Sequence, residues 1–167
     1  MTTPLIIPPL GCAPCEATGA APVPEPQHLE HDGWWPGVDL TRLRAEGRLR
    51  DSVTGERLRD AAIGAMIWIG EQLVGWRAGH VAVGHTALAD VPSVKVAGEK
   101  RLIVLYRQAV TAFAKAALVE RYRDFDLTAA GDRRVEELDA SIGELRRDAI
   151  HAVRAMLGRP RTDIELI

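Results

Sequence analysis

Two cysteines, Cys12 and Cys15, are the side chains of this sequence whose type and spacing come closest to chemistry. Such a pair can bind zinc or cycle between dithiol and disulfide. A structural zinc site needs four ligands, and His28 and His31 are the nearest candidates to complete a Cys2His2 set. The chain between them is rich in proline and alanine, with no strand or helix to hold ligands in place. A redox pair belongs at a helix N-terminus beside a strand, where the thiolate is stabilised, and neither element is in reach. Cys12 and Cys15 therefore read as solvent-exposed thiols of an arm. The histidines offer no more: His28, His31, His80, His85 and His151 share no spacing, and His80 and His85 do not fall on one helical face. With no Gly-rich phosphate loop, GxSxG elbow or HExxH helix, the sequence points to no catalytic, metal or cofactor site, and an enzyme is not expected.

What the residues do specify is helices. From Gly98 to Arg123 the apolar residues Leu102, Leu105, Ala109, Ala112, Ala116 and Val119 step by three and four, so they stack on one face of a helix roughly 39 Å long. Asp132 to Leu157 repeats the pattern through Val135, Leu138, Ile142, Leu145, Ala149, Ala152 and Met156, with Gly158 as its C-cap and Pro160 blocking a restart. Two such helices joined by a short loop make an antiparallel hairpin. Upstream, Thr54 caps a helix expected over 55–78, whose core face is Leu58, Ala62, Ala65, Ile69, Gln72 and Trp76. Ile63, Met66, Ile67, Leu73 and Val74 widen that stripe, which predicts burial on two sides, the second against another subunit. Asp39 is the N-cap of a short helix through about Leu49, and residues 79–97 read as a loop.

Eight of the ten prolines fall within residues 1–38, which excludes a helix there and predicts an extended, partly polyproline arm. Its Leu5, Ile6 and Ile7 are either stray hydrophobicity or an anchor for a neighbour's surface. Trp34 and Trp35 either clamp the arm onto the core or stack on a ligand. The tail, 159–167, alternates apolar and charged residues at its end, so it is either a strand that adds to an exposed edge or a free terminus. The predicted fold is thus all-α. Two to three long antiparallel helices form a small bundle (39–158), with an extended proline-rich arm (1–38) before it and an extended tail (159–167) after it.

Composition sets the remaining bounds. The length, 167 residues, suits one domain with a tail or two. With 21 basic and 23 acidic residues the net charge is −2, without the basic excess of a protein that grips nucleic acid broadly. No apolar run approaches the ~20 residues of a membrane span, and no signal peptide is evident, so a reducing cytoplasm is the expected place of synthesis.

Several segments together carry a resemblance. Leu88-Ala89-Asp90-Val91-Pro92 is followed by a helix start at Gly98-Glu99, then by Tyr106-Arg107-Gln108-Ala109-Val110 and Leu118-Val119-Glu120-Arg121-Tyr122-Arg123. Gly131-Asp132, the run Ile142 to Asp148, Ala152-Val153, Gly158 to Arg161 and Ile167 continue it, and Leu5-Ile6-Ile7-Pro8 matches at the start. The set resembles the head completion proteins of contractile-tailed temperate phages, the GpL family. The resemblance is near-continuous from Leu88 onward and patchy before it, and it does not cover Cys12 and Cys15.

The resemblance implies a virion structural protein with no cofactor, assembled in the host cytoplasm. It implies a head–tail connector adaptor, a ring usually of twelve copies beneath the phage portal protein. The ring helps to retain packaged DNA and presents a surface to the tail-side connector or tail terminator protein. DNA then passes through the lumen without specific binding. On this reading Arg159, Pro160, Arg161, Ile164, Leu166 and Ile167 become portal-binding residues. Leu5, Ile6, Ile7, Ile63, Met66, Ile67 and Trp68 become candidates for contacts between subunits. The alternative is a small helical DNA-binding or regulatory module, in which the arginines of the long helices touch phosphates.

Overall fold

A computed structural model describes residues 27–123 and 142–160, and among these the protein is mostly helical. Two short antiparallel strands, β1 (His28–Leu29) and β2 (Val38–Asp39), lead into helix α1 (Leu40–Glu46). Asp39 caps α1 as its sequence requires, its carboxylate accepting from the Thr41 and Arg42 N–H groups at 2.8 and 3.1 Å. Helix α2 (Gly55–Gln72) starts at Thr54, whose hydroxyl accepts from the Arg57 N–H at 3.4 Å. Helix α3 (Val74–Ala82) follows at once, and a 3₁₀ turn at Leu88–Asp90 precedes the hairpin of β3 (Lys95–Val96) and β4 (Glu99–Lys100). Helices α4 (Arg101–Arg123) and α5 (Ile142–Met156) complete the described fold.

Helix α4 organises the packing, with α2 on one side and α5 on another. Leu102, Tyr106, Val110 and Ala114, spaced by four, are buried, and Phe113 stacks on Trp68 of α2 with ring centroids 4.5 Å apart. Toward α5 lies the alanine-rich side, and small side chains let two helices approach closely. The sequence pattern picked out that second side: Leu102, Ala109 and Ala116 are buried, whereas Leu105, Ala112 and Val119 are half-buried. Tyr106, Val110 and Leu118 escaped it because a helix packed on two sides carries two overlapping stripes. By length and composition alone α4 could span a membrane from Arg101 to Arg121, which corrects the expectation that no run is apolar enough. Here α2 and α5 pack on that helix and 39% of the stretch is buried.

Helix α5 buries Leu145, Ala149, Ala152, Val153 and Met156, close to the predicted stripe. Its expected start at Asp132, with Val135 and Leu138, lies outside the described residues, as do Cys12 and Cys15. The Arg146–Glu120 ion pair, 2.7 Å, sets the second turn of α5 beside the last turn of α4.

The sequence predicts one helix over 55–78, and the chain instead bends at Leu73 (φ −107°, ψ 7°) and continues helically to Ala82. The core line Leu58, Ala62, Ala65, Ile69 steps by four to Leu73, which is fully buried, so Gln72 is exposed rather than core. Hydrogen bonds from Leu73 N–H to Ile69 and from Arg77 N–H to Leu73 carry the helix through the bend.

Residues 27–38, expected to belong to the extended arm, are fixed to the bundle. The Leu40 N–H donates to the Gln27 carbonyl at 2.7 Å, and β1 pairs with β2. The physical reason is the tryptophan pair. Trp34 and Trp35 are 4% and 3% exposed, and with the buried Leu29 and Val38 they give the segment an apolar face that packs into the core. They act as the clamp, not as a ligand platform.

Helices α1, α3 and α5 end by one device. Arg48, Gly84 and Gly158 adopt φ of 49°, 101° and 70°. In each case the residue after it donates back to the carbonyl five positions earlier: Leu49 to Arg44, His85 to His80, Arg159 to Arg154. This is the Schellman stop, in which a left-handed residue lets the chain satisfy otherwise orphaned carbonyls.

Candidate interaction surfaces

Three regions of the described chain carry features beyond packing. The first is a charged ring. Arg42 of α1 contacts Glu46 at 2.8 Å and Glu99 at 3.5 Å, while Arg107 of α4 contacts Glu99 at 2.7 Å and Glu46 at 3.3 Å. Four alternating charges thus tie α1, β4 and α4 together. The Arg107 hydrogen bond, against a smaller opposing burial effect and with the charge of Arg42 assisting, holds Glu99 below the ordinary carboxylate range.

The second region is a groove of about 760 Å³ between the end of α1, α4 and α5. Leu105, Ala112, Leu145, Ala152 and Ala155 give it an apolar wall. Arg48, Arg107, Lys115 and Arg159 line it with positive charge, against Glu46 and Asp148. Thr111 and His151 also line it, and the Thr111 Oγ1 and both His151 ring nitrogens are buried with no hydrogen-bond partner among the described residues. Each such group costs about 1–3 kcal/mol while unpaired.

The third region is an exposed apolar side of α2 and α3. Ile67, Val74 and Val81, spaced by seven, are 56%, 66% and 49% exposed. Val83, Val94 and Val96 add to the apolar exposure just beyond α3 and on the hairpin.

The candidates for subunit contact divide by their position in the fold. Ile67 is exposed, Ile63 and Trp68 are half-buried against the core, and Met66 is 5% exposed within the core itself. Met66 is therefore taken up by the chain's own packing. Of the tail candidates, Arg159 and Pro160 are exposed, with the Pro160 carbonyl accepting from Arg154 at 3.2 Å. Leu5, Ile6, Ile7, Arg161, Ile164, Leu166 and Ile167 lie outside the described residues. Sequence reasoning missed the groove entirely, since it is assembled from three elements far apart in the chain. It also missed Val81, by ending the helix at Ala78.

Comparison with known proteins gives the family. Residues 29–167 match the family described as phage head completion protein (GPL), and the chain belongs to that family. The match begins inside β1, which extends the resemblance well upstream of Leu88. The chain is similar to the head completion/stabilization protein of Escherichia phage P2, at 35% identity over 159 residues, 93% of this chain and 94% of that protein. No solved structure matches.

Proposed function

We propose that this chain is a head–tail connector adaptor, a subunit of a homomeric ring seated under the portal of a filled phage head. The observation that carries the reading is membership of the head completion family across nearly the whole described fold. The exposed Ile67, Val74 and Val81 side supports it, since a ring subunit needs apolar surface that its own fold leaves uncovered. In the ring, Ile63, Ile67 and Trp68 meet the neighbouring copy, with Leu5, Ile6 and Ile7 of the arm crossing to it. The bundle runs α4 and α5 antiparallel, and segment 161–167, with Arg159 and Pro160 at its root, docks on the portal as an added strand. The tail-side connector binds the opposite end. Packaged DNA passes the lumen held by exclusion rather than by phosphate contacts, so the lumen surface is mixed or acidic.

Light scattering of the purified chain with portal rings from the same genome tests the reading. Co-migration that is lost on deleting residues 161–167 is the expected result. Tight, steeply salt-dependent DNA binding with no portal association would replace it with the regulatory module.

A further inference from the structure

We infer that the groove between α1, α4 and α5 is a docking site for an extended segment of this same chain, residues 161–167. Three observations meet there. The described chain leaves the bundle at the groove, because Arg159 lines it and Arg154 holds the Pro160 carbonyl against α5. The seven residues that follow reach about 24 Å when extended. The groove runs along α5 from Ala155 to Leu145, about 15 Å, so the segment can span it after one reversal.

The chemistry is complementary. In an extended strand Arg161, Asp163 and Glu165 share one side with Ile167, and Thr162, Ile164 and Leu166 the other, so two acids against one base stand on one side and apolar groups dominate the other. The groove offers more cations than anions at its edge and an apolar wall within. The segment is thereby stored on its own subunit until a stronger site claims it. The same residues are the proposed portal anchor, but the groove inference concerns the free chain and stands or falls separately.

Backbone NMR of the isolated full chain decides it. Residues 162–167 should give heteronuclear NOE values close to those of the helices. Ending the chain at Pro160 should shift the amides of Thr111, Ala112 and Ala152. The double variant Arg48→Glu, Arg159→Glu changes exposed side chains only and should return the segment to coil-like values. Coil-like values in the unaltered chain, or shifts confined to residues 156–160 on truncation, would overturn the inference. Ordering that vanishes on dilution would also overturn it, by placing the segment in the groove of a second copy. Portal co-migration is a separate measurement, so a failed groove leaves the adaptor reading untouched.

Discussion

Trp35 and Tyr106 stack with ring centroids 5.1 Å apart and planes 13° from parallel. That contact joins the segment entering the bundle to the middle of its central helix. Around it, Trp34 meets Trp35 edge-on at 4.5 Å and Trp76 at 6.0 Å. The Asp32 carboxylate accepts from the N–H groups of Trp34 and Trp35, and it pairs with Arg77, which lies over the Trp34 ring. The Tyr106 hydroxyl is buried with no hydrogen-bond partner among the described residues, and burial, with the nearby Asp32 charge, pushes its ionisation well above the usual tyrosine range. Tyr106→Phe should therefore be neutral or stabilising by up to about 1 kcal/mol, since it deletes an unpaired polar atom and keeps the ring. Trp35→Ala should cost about 3–5 kcal/mol in denaturant melts. A loss of more than 1 kcal/mol in Tyr106→Phe would mean that the hydroxyl has a partner.

Met66 and Ile67 are adjacent in sequence and opposite in role. Met66→Ala removes core contacts and should destabilise the isolated chain by about 2–5 kcal/mol. Ile67→Asp alters a side chain that is 56% exposed and should leave the melt within about 0.5 kcal/mol, while reducing incorporation into heads in a complementation assay. Normal incorporation of a folded Ile67→Asp chain would remove that side of α2 from the subunit contact.

The helix caps Asp39 and Thr54, the stop at Gly158 and the stripe of α5 were legible because each is written within a few neighbouring residues. Tyr106 and the bend at Leu73 were not. Both depend on a second helix or on the tryptophan clamp, which local periodicity does not register. The β3–β4 hairpin carries little local signal, because its turn residues, Ala97 (φ 52°) and Gly98 (φ 83°), lack the Asn-Gly signature of a type I′ turn. The groove had no sequence signal at all.

Two non-glycine residues sit in the left-handed region, Arg48 and Ala97. Ala97→Asn should raise the melting temperature, by relief of about 0.5–1 kcal/mol of backbone strain. Gly158→Ala should do the reverse and cost about 1–2 kcal/mol, since a Cβ there meets no atom within 4 Å and the backbone alone resists it. Thermal denaturation of the two single variants checks both signs.

Acid should loosen the fold through named carboxylates. Burial works to raise Asp32, but the Arg77 hydrogen bond, the Trp35 and Trp34 N–H groups and the Arg77 charge outweigh it and leave it lowered. Glu99 is lowered chiefly by Arg107, and Asp90 by the hydroxyl of Thr86 and by backbone N–H groups. A lowered folded value contributes stability that is present above the unfolded values, 3.8 for Asp and 4.5 for Glu, and is lost as pH falls through the folded ones. Stability should hold from neutral pH to about 5 and decline below it. Asp32→Asn should flatten the decline, and an unchanged slope would assign it to other groups.

The closed circuit of Arg42, Glu46, Arg107 and Glu99 has a consequence for how such a chain can drift. Each member touches two of opposite sign, so losing one arginine leaves two glutamates sharing the other, and losing one glutamate leaves two arginines doing the same. Single replacements are penalised and paired ones are not. Across descendants of this sequence the four positions should therefore change as linked couples, with the rest of α1 and α4 free to vary around them.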